Sequence, residues 1–440
     1  MNLKFGTDGI RGPVETLITP EACLRIGHAT GTVAKELGWK TVMIGKDTRV
    51  SGYMLESALQ AGFISAGVDV KLLGPIPTPG VAYLTRSVRD AFGLVISASH
   101  NDFLDNGIKI FMPNGEKLSK DIEKRIEKII AGEMNIVDSS SIGKAERFDE
   151  SGARYIAFCK STVPAYLNFS SLRIVLDCAH GACYKVSPSI FKELGAEVIL
   201  IGNNPDGFNI NQGCGSTHPE LLQEEVVKHR ADYGVALDGD GDRVILVDSN
   251  GNILDGDDLL YIMAFANPNR VGAWAGVVGT KMSNFGLEDG LNKLGYKFVR
   301  ADVGDKYVSQ KLSEKGWLLG GETSGHIISK DLVSTGDGTI AALKVISSLM
   351  ILEKTPSEVL SNYNKRPQIN IAVSVKNKDV INDSSIQSAI SEAQSDITVD
   401  RVLVRPSGTE SKIRVMVEAS DENTAKKYAK DLSQLIESKL

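Results

Sequence analysis

The chain has 440 residues, 42% hydrophobic and 24% charged, an ordinary globular composition with room for roughly two to four domains. A formal net charge of -6 argues against nucleic acid or an anionic membrane surface as the main partner, while leaving room for a local basic pocket that takes a small anion. The start, Met1-Asn2-Leu3-Lys4-Phe5-Gly6, lacks the apolar core of a signal peptide, and no apolar run approaches a membrane span. The five cysteines, at 23, 159, 178, 183 and 214, form no C-x-x-C pair, so the expectation is a cytoplasmic protein with reduced thiols and no zinc.

Along the chain one local pattern recurs: a helix-like segment closes on Gly and a strand-like run follows at once. It appears at Gly38 before residues 41–44, at Gly67 before 68–72, at Gly195 before 197–201, at Gly295 before 296–299 and at Gly316 before 317–319. Gly supplies the left-handed helix cap, and the strand after it is the return limb of a βαβ unit. Serial α/β modules are therefore expected. A polar, Ser-rich stretch at 132–144 reads as a linker, a turn at Asp248-Ser249-Asn250-Gly251 lies near the end of a second module, and a third ends near Lys365-Arg366-Pro367 after a helix over 337–352. The remainder alternates a strand (369–375), a helix (384–393), two strands (401–404 and 413–418) and an amphipathic helix from Asp421, which is a small α+β domain. The expected fold is three α/β modules with mixed sheets (1–150, 151–248 and 249–367) and a C-terminal α+β domain (368–440).

Four segments carry chemistry. The most informative is Asp238-Gly239-Asp240-Gly241-Asp242-Arg243, set between the apolar runs 233–237 and 244–247. Three carboxylates so close repel one another unless a cation sits among them, and the glycines let the backbone turn their oxygens toward one point. An EF-hand loop would need Gly where Arg243 stands and Glu where Ser249 stands, and would lie between helices. The pattern favours Mg²⁺, which takes few carboxylates and completes its shell with water and phosphate oxygens; an exposed acidic turn is the plainer alternative.

The second segment, Ser97-Ala98-Ser99-His100-Asn101-Asp102, follows a strand-like run at 91–96, where α/β sheets present reactive groups. Ser99 is a candidate nucleophile, although a Ser-His pair is more often a polar turn. Lys109, on the next strand, is a candidate to reach back to the same place, or else a solvated surface lysine. The third, Gly320-Gly321-Glu322-Thr323-Ser324-Gly325-His326, offers Glu322 and Ser324 for vicinal hydroxyls and His326 for proton exchange, or simply a Gly-rich turn. In the fourth, Arg405 to Arg414, small residues flanked by two guanidinium groups suit a phosphate, with a charged hairpin as the alternative. A metal, a hydroxyl, a polyol loop and a phosphate clamp are together the parts of phosphoryl transfer on a phosphosugar.

In this order and at these separations the four segments resemble the active-site loops of the α-D-phosphohexomutase superfamily, over essentially the whole chain. The opening Phe5-Gly6-Thr7-Asp8-Gly9-Ile10-Arg11-Gly12 and the stretch from Asn209-Ile210-Asn211 to Cys214-Gly215-Ser216-Thr217-His218 are similar to the branch that acts on glucosamine phosphates. The resemblance implies four domains around a central active-site cleft. It further implies a phosphoryl group carried on Ser99 and one Mg²⁺ held by Asp238, Asp240 and Asp242 with an oxygen on Ser99. Sugar contacts from Arg11, Glu322 and Ser324, and a distal phosphate held by Arg405, Ser407, Gly408, Thr409 and Arg414, also follow from it. Glucosamine 6-phosphate and glucosamine 1-phosphate would be interconverted through glucosamine 1,6-bisphosphate, toward UDP-N-acetylglucosamine and cell-wall precursors. Arg243 and His100 would add to charge stabilisation, with Lys109 and His326 as general base and acid. Glucose or mannose phosphate as substrate, or phosphosugar binding without turnover, are the alternatives, and a homodimer is left open. Asp102 stands where the family generally has Pro, placing an extra carboxylate near the phosphoserine. Thr323 stands where this branch commonly has Gln.

Overall fold

In the computed structural model, which describes residues 3–6, 8–407 and 411–439, every strand of the helix-Gly-strand pattern lies parallel to a neighbour. The first sheet holds β1 (Ile10–Pro13), β2 (Thr41–Lys46), β3 (Asp69–Pro75), β4 (Ala91–Ile96), β5 (Asp105–Phe111) and β6 (Ala145–Arg147), in the order β1-β5-β4-β2-β3-β6. It is mixed, because β5 runs antiparallel to both β4 and β1. All six residues of β4 are buried, as an apolar run in mid-sheet requires. Its carboxyl end opens directly into the loop bearing Ser99.

The second sheet comprises β7 (Arg173–Asp177), β8 (Glu197–Ile201), β9 (Tyr233–Leu237), β10 (Val244–Asp248) and β11 (Ile253–Leu254), ordered β11-β10-β9-β7-β8. Here β9 and β10 form an antiparallel pair whose connection is the Asp-Gly run. The third sheet, β12 (Gly276–Thr280), β13 (Lys297–Ala301), β14 (Leu319–Gly321) and β15 (Ile327–Ser329), is ordered β13-β12-β14-β15, with an antiparallel turn between β14 and β15 that carries Glu322. The strand expected over 317–319 starts later. Gly316 caps the preceding helix at φ 65°, and the Trp317 N–H still bonds back to Leu312 O at 3.0 Å. That closing turn keeps residue 317 out of the sheet, and its indole packs against Gly276 instead.

The last sheet is antiparallel throughout: β16 (Gln368–Ser374), β17 (Val399–Pro406) and β18 (Lys412–Ala419), ordered β16-β18-β17. Its core joins Val415 and Val417 to Leu432 and Ile436 of the helix Glu422–Glu437. The chain divides into two compact units, Met1–Met282 with Lys297–Pro356, and Ser283–Tyr296 with Ser357–Leu440. The second unit recruits the helix Phe285–Lys293: Asn284 bonds both to the backbone N–H of Arg366 and to its carbonyl, and Arg401 spans Ser283 O and the buried Glu418. Among the described residues no helix is long and apolar enough to cross a membrane.

Candidate active site

The site builds up from β4. Beyond Ile96 the chain turns sharply, and Ser99 takes φ 51°, a left-handed conformation that costs a non-Gly residue about 1–3 kcal/mol unless its surroundings enforce it. They do. The Ser99 N–H donates to Ser97 Oγ at 2.9 Å, and the Ser99 carbonyl accepts from Asn211 Nδ2 at 2.9 Å and Arg49 Nη2 at 3.2 Å. The hydroxyl donates to Asp238 Oδ2 at 2.6 Å and lies 3.4 Å from His100 Nδ1. The phosphoserine candidate and the metal-loop candidate thus meet directly, 139 residues apart in sequence. Gly239 makes this approach workable, since a Cβ there would sit 2.6 Å from Ser99 O and 2.8 Å from Asn211 Nδ2.

Asp238, Asp240 and Asp242 are buried, and each offers an oxygen within 4.8 Å of the others, the one such acidic group of three among the described residues. Their second oxygens are already engaged. Lys109 Nζ lies 2.8 Å from Asp240 Oδ2 and 3.4 Å from Asp242 Oδ2, and Thr78 Oγ1 donates to Asp240 Oδ2 at 2.5 Å. Among the described residues Asp240 Oδ1 and Asp242 Oδ1 are buried without a hydrogen-bond partner. Two orphaned carboxylate oxygens beside a serine hydroxyl are hard, anionic donors, and the set fits a divalent cation. Burial and the neighbouring Asp242 and Asp240 push the Asp238 carboxyl well up. For Asp242 burial works the same way, but Lys109 and His326 prevail and hold it well down.

The proton-transfer candidates differ in charge. Burial opposes ionisation of Lys109, yet Asp240, Asp8 and Asp242 outweigh it and raise its pKa, so this lysine is held as an ammonium, suited to stabilising charge or donating a proton. His100 is lowered to about 4 by burial and by Arg243 and Arg11, which leaves it neutral and able to offer a hydrogen bond but no charge. For His326, burial favours the neutral ring, while Asp242, Asp305 and Glu322 outweigh it and raise the pKa to about 9. Against this, the Gly336 N–H points at Nε2 from 3.1 Å, a contact that only an unprotonated nitrogen accepts. A dication among the aspartates would cancel most of the acidic pull, so the hydrogen-bond geometry decides for a neutral ring with its proton on Nδ1, facing Asp242 at 3.6 Å.

Arg11 and Arg243 close the group. Arg11 Nη2 bonds to Ala98 O and Asn101 Oδ1, and the Arg243 N–H donates to Asp238 Oδ1 at 3.1 Å. Glu322 accepts from Gly304 N at 3.0 Å, and burial raises its pKa. Its turn is seated on β10: Val244 N bonds to Gly325 O at 3.1 Å, and Gly325, at φ 88°, leaves no space for a Cβ over Val244 O. Ser324 is exposed at the tip.

Two departures from the family pattern find local explanations. Asp102 turns its carboxylate onto Leu104 N at 3.0 Å, an Asx turn within the loop that follows Ser99. Thr323 Oγ1 donates to the buried Asp257 at 3.0 Å.

In the second unit, Arg405 on β17 and Arg414 on β18 are register partners, and burial and Arg414 lower the pKa of Arg405, whose Nε is buried with no hydrogen-bond partner among the described residues. Ser407 is buried, its N–H donating to Lys412 O at 2.8 Å and its carbonyl accepting from Lys378 Nζ at 2.6 Å. Gly408 and Thr409 lie outside the described residues.

The sequence pointed past several contributors. Asp47 and Arg49 follow β2, the strand beside β4, and the same strand-end rule that found Ser99 would have found them. Lys117 joins Asp8 at 2.6 Å to Asp305 at 2.5 Å, and Asp305 faces His326 at 3.6 Å; nothing local in sequence marks Lys117 or Asp305.

Four domain families match the chain in order, all described as phosphoglucomutase/phosphomannomutase: alpha/beta/alpha domain I over residues 2–136, domain II over 153–251, domain III over 255–366 and the C-terminal domain over 369–435. The chain is 51% identical over 441 residues to a phosphoglucosamine mutase of Cellvibrio japonicus, covering 99% of each chain. A crystal structure of a phosphoglucomutase/phosphomannomutase family protein from Burkholderia thailandensis superposes with a TM-score of 0.81 at 24% identity, covering 98% of this chain and 97% of the other. The structure of Aspergillus fumigatus N-acetylphosphoglucosamine mutase in complex with GlcNAc-6P and magnesium shares the fold with a TM-score of 0.71 at 18% identity, covering 100% and 96%. From the Ser99 loop to the C-terminal domain, the chain belongs to the phosphoglucomutase/phosphomannomutase family of α-D-phosphohexomutases, which are isomerases.

Proposed function

We propose that this chain interconverts glucosamine 6-phosphate and glucosamine 1-phosphate, with Ser99 as the phosphoryl carrier and glucosamine 1,6-bisphosphate as the intermediate, toward UDP-N-acetylglucosamine and cell-wall precursors. The observation that carries this reading is the Ser99 hydroxyl 2.6 Å from Asp238 within a buried group of three aspartates; the name and near-full coverage of the Cellvibrio relative support the choice of sugar. Phosphoserine at 99 gives its phosphoryl to the C1 hydroxyl, whose proton passes to a nearby base, and the bisphosphate then turns over and returns the phosphoryl from C6 to Ser99. Asp238, Asp240 and Asp242 would hold one Mg²⁺ with an oxygen on Ser99, and that ion would supply Lewis-acid neutralisation of the transferring group. Lys109 and Arg243 add fixed positive charge, while His100 offers a neutral hydrogen bond.

Lys109 is the donor to the leaving oxygen, and Glu322 the acceptor of the sugar proton, since the one acceptor nitrogen of neutral His326 already takes the Gly336 N–H. Glu322, Ser324 and Arg11 orient the sugar. Arg405, Ser407, Gly408, Thr409 and Arg414 take the distal phosphate, and the Arg405 Nε, without a hydrogen-bond partner among the described residues, supports that role. Five buried free cysteines agree with a cytoplasmic enzyme, and size-exclusion chromatography will read whether it is a homodimer.

The test is intact mass and turnover of wild type and Ser99→Ala. Wild type should carry an exchangeable phosphate and turn over glucosamine 6-phosphate with a higher kcat/KM than glucose or mannose 6-phosphate, and Ser99→Ala should do neither. A preference for another sugar would replace the substrate. An enzyme without exchangeable phosphate would leave only a phosphosugar-binding protein.

A further inference from the structure

Arg49 is fully buried, yet its guanidinium serves one short loop. Its Nη2 donates to Ser99 O at 3.2 Å and Asn101 O at 2.6 Å, and its Nε donates to Asp102 O at 3.2 Å. Three carbonyls within four residues thus converge on a single planar fork. Nη1 turns the other way, to Asp47 Oδ2 and, at 3.4 Å, to Ser97 Oγ. Asp47 in turn accepts from the backbone N–H of Arg49 at 2.9 Å and from Ser97 Oγ at 2.5 Å, and that hydroxyl oxygen receives the Ser99 N–H at 2.9 Å. Both faces of the Ser99 peptide backbone therefore end on the same buried ion pair.

A buried pair of this kind contributes little net stability compared with apolar residues of the same volume. What it supplies is geometry: Ser99 stands at φ 51°, and the carbonyl contacts keep the loop in that conformation while its hydroxyl faces Asp238. Arg49 touches neither Ser99 Oγ nor the aspartates by hydrogen bond. We propose that Arg49, oriented by Asp47, is a positioning residue for phosphoryl transfer, locking the backbone of Ser99 to Asp102 so that the carrier oxygen is aimed at the metal loop. The proposal rests on the reading of Ser99 as phosphoryl carrier.

Three variants test it. Arg49→Lys keeps the charge opposite Asp47 but loses the fork; Ser97→Ala deletes one hydroxyl; Arg49→Ala opens a hole that added guanidinium ion can fill. Arg49→Lys and Ser97→Ala should each lower kcat, by up to about a hundredfold as expected for displacement of a reacting group by about 1 Å, with KM within about twofold of wild type and an unchanged far-UV spectrum. Guanidinium at non-denaturing concentration should restore part of the kcat of Arg49→Ala and none of that of Arg49→Lys. Wild-type kcat in Arg49→Lys would overturn the proposal, as would a loss that follows the unfolded fraction and is not rescued. Wild type and Ser99→Ala run alongside keep the two ideas apart. If Ser99→Ala stays active the carrier reading fails, whereas if it is dead and Arg49→Lys is fully active only the positioning role fails.

Discussion

Replacing Lys109 with Met removes one charge from the centre of the site while keeping most of the side-chain volume. In the native protein Nζ lies 2.9 Å from Asp8, 2.8 Å from Asp240 and 3.4 Å from Asp242, with the side chain 2% exposed. The partners are not equally dependent on it. Asp8 keeps Lys117 at 2.6 Å and Asp242 keeps the Arg243 guanidinium at 3.9 Å, but among the described residues Asp240 is left with only the Thr78 hydroxyl. One buried carboxylate is thereby uncompensated, and breaking such a pair costs about 3–5 kcal/mol. Urea unfolding in chelator should show a loss of that size. With excess Mg²⁺ the loss should shrink, because a cation bound to the native state replaces the missing charge and stabilises by mass action. The variant should bind Mg²⁺ more tightly than wild type, since a competing ammonium has gone, and yet turn over about 10² to 10⁴ times more slowly. A stability loss below about 1 kcal/mol in chelator, or an equal response of both proteins to Mg²⁺, would refute the view of Lys109 as the site's resident counter-charge.

Chelation should stop turnover reversibly, and Asp240→Asn should weaken Mg²⁺ binding by about tenfold or more in a calorimetric titration, because a third of the ligand charge is lost. Gly325→Ala should cost about 2–5 kcal/mol in denaturant midpoint analysis, combining a left-handed residue at φ 88° with a collision against Val244 O. Asp337 caps the helix Gly338–Leu352 and accepts the Tyr155 hydroxyl at 2.8 Å; burial raises its pKa to about 6. Because the folded value lies above the unfolded one, this group's contribution is present below about pH 4 and is lost as pH rises through about 6. Asp337→Asn should therefore gain up to about 3 kcal/mol on wild type between pH 4 and pH 7, read from unfolding free energies at the two pH values.

The sequence by itself determined the parts. Gly closing helices before strands announced parallel α/β units, and three aspartates spaced by glycine announced a cation loop, because backbone freedom and charge repulsion are local properties. The ends of apolar runs placed Ser99 and Glu322 on loops for the same reason. Boundaries failed where a local bond outlasted the pattern, as when Trp317 stayed tied to Leu312 and β14 began at Leu319. Only the tertiary structure decided which parts touch. Lys109 meets Asp240 and Asp242 across 131 and 133 residues, Asn211 reaches the Ser99 carbonyl across 112, and Arg49 reaches it across 50. No spacing rule encodes those distances, since they depend on how separate sheets pack and on which strands lie side by side within one sheet. Charge state follows the same division: whether Lys109 is an ammonium and His100 a neutral ring depends on carboxylates and guanidinium groups delivered by other elements, and on the water that packing excludes.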